Sequence, residues 1–128
     1  MLKTQIPDLY ILEDAEKGRG VYCMQDIQAD SIIEICPVIV LSKKDKKLIH
    51  QTKLHDYYFL WDEGLDTIAI PLGYGCLYNH ASQANADTEQ DLDGQLLRII
   101  AKQNIAAGTE ICINYLGGLV EKEGDLWF

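Results

Sequence analysis

Little in this sequence favours a membrane, a nucleic acid or a disulfide framework. The longest apolar stretch, residues 31–41, is interrupted by Glu34 and Pro37. It falls well short of the roughly 20 residues that a spanning helix needs. The N-terminal segment Met1 to Asp8 lacks the apolar run of a secretory signal, so an intracellular, soluble protein is expected. Basic residues are scarce, with 11 Lys and Arg against 20 Asp and Glu and a net charge of -9. Such a surface repels phosphates, which argues against direct DNA or RNA binding and favours a basic partner such as a lysine-rich tail. Solubility alone explains the acidity equally well. The four cysteines (Cys23, Cys36, Cys76 and Cys112) are widely spaced and form no Cys-x-x-Cys. That spacing suits neither a zinc knot nor a secreted disulfide scaffold, and reduced, mostly buried thiols are expected. Linkers and low-complexity segments are missing too. The expectation is one domain over residues 1–128, large enough to bury roughly two-thirds of its unfolded surface.

What is present reads as short strands between turns. Segments rich in Ile, Val and Tyr run over Leu9 to Leu12, Gly20 to Met24, Ser31 to Leu41, Tyr57 to Trp61, Thr67 to Ile70, Leu96 to Ala101 and Glu110 to Asn114. Pro37 is expected to break the third of these into two strands. Only Ser42 to Lys53 has a helical look, with Ser42 as N-cap. The fold class is therefore mainly β, with little helix. A weak echo links Asp26 to Ile33 with Asn104 to Ile111, each an Ile entering a polar or small turn from which a strand leaves. Gly117-Gly118 precedes a tail ending in Leu126-Trp127-Phe128, whose aromatics should dock rather than hang in water.

Two metal patterns fail on inspection. Asp87-x-Glu89-x-Asp91-x-Asp93-Gly94 suggests a calcium loop, but counted from Glu89 the twelfth position is Ile100 instead of Glu. A solvated hairpin or an attractor for basic substrate fits it better. His50, His55, Cys76 and His80 lack a zinc spacing. No metal is expected.

Three further segments carry more information. Lys17-Gly18-Arg19-Gly20 places two glycines where backbone approaches something closely or takes positive φ. Leu77-Tyr78-Asn79-His80-Ala81-Ser82-Gln83-Ala84-Asn85 groups amides and an imidazole with small residues, and Gly108-Thr109-Glu110-Ile111-Cys112-Ile113-Asn114-Tyr115 ends an apolar strand on an Asn-Tyr pair. Taken singly, each has an ordinary explanation: a turn, a capped loop, a packed tyrosine. In this order they resemble the signature elements of the SET-domain protein lysine methyltransferases, and the resemblance spans about Leu9 to Tyr115.

That resemblance implies a fold of several small sheets, β-clip-like, closed by a C-terminal pseudoknot. It also implies transfer of methyl groups from S-adenosylmethionine to the side-chain amine of lysine in a protein, with a histone or histone-like basic tail as a candidate substrate. Lys17, Gly18, Arg19 and Gly20 would pack on the methionine end of the cofactor, and Tyr78, Asn79 and His80 would line it. Tyr115 would be the catalytic tyrosine. Tyr58, with Tyr57 as the alternative, would wall the lysine channel, where aromatic faces attract an alkylammonium. Departures from the pattern are Ala81 for Ser, Ser82 for Cys and Asn114 for Asp. Ile113 stands where many members carry Phe or Tyr, which leaves room for more than one methyl transfer. No zinc-binding segment follows Tyr115, so residues 116–128, with Trp127 or Phe128 over the adenine, a second copy in a homodimer, or ordering on substrate binding would complete the pocket. A catalytically degenerate module that binds basic segments is the alternative reading.

Overall fold

The computed structural model describes residues 2–62 and 66–115. In chain order these form β1 (Leu9–Asp14), β2 (Gly18–Cys23), β3 (Ile32–Leu41), α1 (Lys43–Ile49), a 3-10 turn (Lys53–Asp56), β4 (Phe59–Trp61), β5 (Thr67–Pro71), β6 (Asn79–His80), β7 (Ala86–Asp91), β8 (Leu96–Ala101) and β9 (Glu110–Ile113). They assemble into two sheets, ordered β1-β2-β9-β6 and β4-β5-β3-β8-β7. The expected mainly β architecture of small sheets is what forms. The expected pseudoknot depends on residues 116–128, which lie outside the described residues.

Alternation drives the larger sheet. Along β8, Leu97, Ile99 and Ala101 are fully buried while the residues between them are half-buried, the period of two that a half-covered strand requires. They pack with Val21, Ile33, Ile111 and Ile113, so one apolar cluster joins the two sheets.

Pro37 does not break β3. Residues Ile32 to Pro37 pair with β8 and residues Val38 to Leu41 pair with β5, so the proline sits where the strand changes partner. A ring without N–H is tolerated at such a point, and its carbonyl accepts from Leu72 N at 2.9 Å. The helix is also shorter than the sequence suggests. Ser42 does cap it, in a capping box with Asp45. Thr52 then interrupts: its hydroxyl donates to Ile49 O at 2.6 Å and accepts from Leu54 N at 3.2 Å, starting the 3-10 turn instead. The acidic segment read as a solvated hairpin is one, with β7 as its outer strand against β8.

The sequence echo has a physical counterpart. Ile27 and Ile105 exchange both backbone hydrogen bonds at 2.8 Å. Asp26 Oδ1 accepts from Ala107 N at 2.9 Å and Asn104 Oδ1 accepts from Ala29 N at 2.8 Å. The two similar turns pair with one another in near two-fold fashion.

Candidate active site

The smaller sheet brings the three singled-out segments together. β2 and β9 pair antiparallel, with Val21 opposite Ile111 and Tyr22 opposite Glu110. β6 joins β9 in parallel, with Asn79 opposite Cys112 and His80 opposite Ile113. Side-chain bonds lock this three-way junction. Asn79 Nδ2 donates to Arg19 O at 3.2 Å and to Glu110 Oε2 at 2.7 Å. Lys17 Nζ reaches Glu110 Oε1 at 3.4 Å, and the charge of Glu110 holds the Lys17 ammonium above its usual range. Asn85 clamps the turn to β9 by donating to Glu110 O and accepting from Cys112 N, both at 2.9 Å.

The glycine pair has two separate reasons. Gly18 has φ +77°, a conformation that side chains disfavour. At Gly20 a Cβ would run into the Glu110 carboxylate and come within 2.9 Å of Asn79 Nδ2, so a side chain there would have to displace the Asn79–Glu110 pair.

Tyr115 leaves β9 and folds over β6. Its hydroxyl donates to Tyr78 O at 2.6 Å, and its N–H donates to His80 Nδ1 at 3.0 Å, with the two rings 5.2 Å apart and tilted by 50°. Burial pushes the Tyr115 hydroxyl pKa well up, and Cys112, Cys76, Tyr57 and Glu110 push it the same way. The group is therefore a neutral phenol at any ordinary pH. Burial also lifts the Cys112 thiol from 9.0 to about 11, with Glu110 adding to it.

Of the residues named from sequence, Lys17, Gly18, Arg19, Gly20, Tyr78, Asn79, His80 and Tyr115 thus meet in one junction. Tyr58 is placed with its hydroxyl 3.2 Å from His50 Nδ1, while Tyr57 is close enough to act on Tyr115 electrostatically and its carbonyl lies 3.6 Å from Cys76 Sγ. Trp127 lies outside the described residues. One residue was missed. Glu34, on β3, is the one charged side chain buried among the described residues, 3% exposed. Its signal in the sequence was a lone carboxylate inside an apolar run.

A SET-domain family model matches residues 18–116. Over 122 residues, 94% of this chain and 76% of the relative, the sequence is 34% identical to the Schizosaccharomyces pombe "Histone-lysine N-methyltransferase, H3 lysine-37 specific". A crystal structure of a Plasmodium falciparum protein assigned as a histone methyltransferase superposes with a TM-score of 0.63 at 31% identity, covering 84% of this chain and 96% of that one. The fold is also similar to part of a mutant apo ctPRC2 structure, with a TM-score of 0.70, 17% identity, and coverage of 93% of this chain and 16% of that one. The chain belongs to the SET-domain family of protein lysine methyltransferases. Among the described residues no helix is long and apolar enough to cross a membrane.

Proposed function

We propose that this protein transfers methyl groups from S-adenosylmethionine to the side-chain amine of a lysine in a basic protein segment, with histone tails as the leading candidates. The observation that carries this reading is the convergence of the Asn79 turn and Tyr115, drawn together by the parallel pairing of β6 and β9.

The donor set suits that cofactor. β6 is the edge of its sheet, and Ala81 N donates to Ile113 O at 3.0 Å. In a parallel ladder alternate residues turn their main-chain groups to opposite sides, so the N–H and C=O of His80 face away from β9 and would read a flat polar edge. Asn79 would line the same pocket from β6, and Lys17 to Gly20 would supply main-chain groups from the start of β2. Residues 116–128, with Trp127, would cover it as the last part of one SET domain whose core is about residues 9–115.

The bound cofactor would supply a methyl group on a sulfonium, already a good leaving group. The protein's part is then mostly positioning. Tyr115 gives its only proton to Tyr78 O, so its oxygen presents lone pairs alone and would accept a hydrogen bond from the incoming amine. An acceptor there orients the lysine nitrogen and leaves its lone pair pointed at the methyl group. Tyr58, with Tyr57 as the alternative, would form the aromatic wall on the amine's path. A buried, aromatic-lined approach lowers the lysine pKa from near 10.4 by desolvation and delivers the neutral amine that the transfer needs. Ile113 brings no hydroxyl to order a water, which leaves room for repeated transfer.

The direct test is purified protein with S-adenosylmethionine and a lysine-rich peptide, with calorimetry for binding and mass spectrometry for product. Tyr115→Phe should keep cofactor affinity and lose turnover by roughly a hundredfold, the scale of a misplaced reacting group. Turnover equal to wild type would remove Tyr115 from the chemistry. No cofactor heat and no product would favour the degenerate binding module.

A further inference from the structure

Glu34 interrupts the apolar run of β3, and burying a carboxylate is costly unless its oxygens are satisfied. Both are. Oε1 accepts from Tyr78 Oη at 2.6 Å and Oε2 accepts from Tyr74 N at 2.9 Å. The loop is shaped around this group: Gly73 has φ +67°, and a Cβ on it would collide with Oε2. Tyr78 is itself only 1% exposed. Burial, with Glu34 beside it, keeps the Tyr78 hydroxyl protonated and donating.

The same Tyr78 carries, on its main chain, the carbonyl that accepts from Tyr115 Oη. A continuous relay therefore runs from the Glu34 carboxylate through the Tyr78 side chain to the Tyr78 carbonyl and the Tyr115 hydroxyl. We propose that Glu34 is a positioning residue for methyl transfer, anchoring Tyr78 so that its carbonyl holds the Tyr115 hydroxyl in its working direction. This rests on the role given to Tyr115 above. Ring packing alone would not demand a buried carboxylate, because a phenylalanine at position 78 against an apolar residue at position 34 would fill the same space without one.

The test is a double-mutant cycle. Glu34→Gln keeps the shape but has one acceptor oxygen for two donors, so one of the two bonds is lost. In the otherwise unchanged enzyme it should lower kcat about tenfold, with peptide KM and cofactor Kd changed less than about twofold. Combined with Tyr115→Phe it should lower kcat by less than about twofold further, because no hydroxyl remains to orient. Equal losses in both backgrounds, no loss in either, or a rise in KM with kcat intact would overturn the proposal. The Tyr115→Phe enzyme alone reports on the underlying reading: full turnover there removes Tyr115 from the chemistry, whatever Glu34→Gln does. Should Glu34→Gln fail to fold in a thermal melt, Tyr78→Phe deletes the other half of the same bond. Unchanged kcat in Tyr78→Phe would sink the proposal equally.

Discussion

Gly20 shows how closely one residue can bind three segments. Asn79 and Glu110 meet directly above it, so an added methyl group must push aside the ends of both side chains and disturb the bond between them. Gly20→Ala should lower stability by about 1–3 kcal/mol, the usual cost of overpacking, and weaken cofactor binding. Thermal melts and calorimetry measure the two effects, and a variant as stable as wild type would show that the junction yields cheaply. At this scale much of the site was legible. Lys17 to Gly20, Asn79, His80 and Tyr115 stood out through the ordered resemblance of their three segments to the SET-domain signatures, since each segment alone has an ordinary explanation. Glu34 was visible as well, as the one charge between Ile33 and Ile35. Its meaning was not, because a carboxylate in a strand is explained only by the donors that fold around it, and Tyr74 and Tyr78 lie 40 and 44 residues away. The choice between Tyr57 and Tyr58 was similarly closed to sequence. The two are adjacent aromatic residues that composition does not separate; in the fold the Tyr58 hydroxyl lies 3.2 Å from His50 Nδ1.

Elements were legible where composition and pairing agree. Strands β2, β5, β8 and β9 emerge from their Ile and Val content. β7, with the sequence Ala-Asp-Thr-Glu-Gln-Asp, is an edge strand whose residues have low strand propensity. It is held by its ladder with β8 and by Arg98, which pairs with Glu89 at 3.2 Å and Asp91 at 3.1 Å. Pro37 misleads in the opposite sense, since a proline reads as a break until it is known that two ladders change over there. α1 depends on its ends, for it buries no residue. Ser42→Ala should therefore cost about 1 kcal/mol, the worth of an N-cap, and lower Tm by roughly 3–5 °C. Calorimetric melting would detect it. An unchanged Tm would mean that the contacts of Lys43 and Lys46 with Asp66 hold the helix unaided.

For the whole molecule the governing quantity is charge. At -9 the protein would attract a lysine-rich segment over distances set by ionic screening, which is about 10 Å at 0.1 M salt and about 3 Å at 1 M. kcat/KM toward a lysine-rich peptide should fall as salt is raised from about 50 to about 500 mM, and more steeply than for a peptide with neutral residues flanking the target lysine. Parallel salt titrations of the two peptides check this. Identical slopes would show that the acidity serves solubility alone.

The register of β2 against β9 has a consequence for biosynthesis. Val21 waits for Ile111, ninety residues later, and β6 remains an orphan dipeptide until the same strand arrives. On a ribosome, which delivers the chain N-terminus first, the ladder of the candidate site cannot be completed early. It closes late, when β9 slots between β2 and β6. A nascent chain that stops short of β9 thus lacks the strand that joins the Gly20 and Asn79 segments.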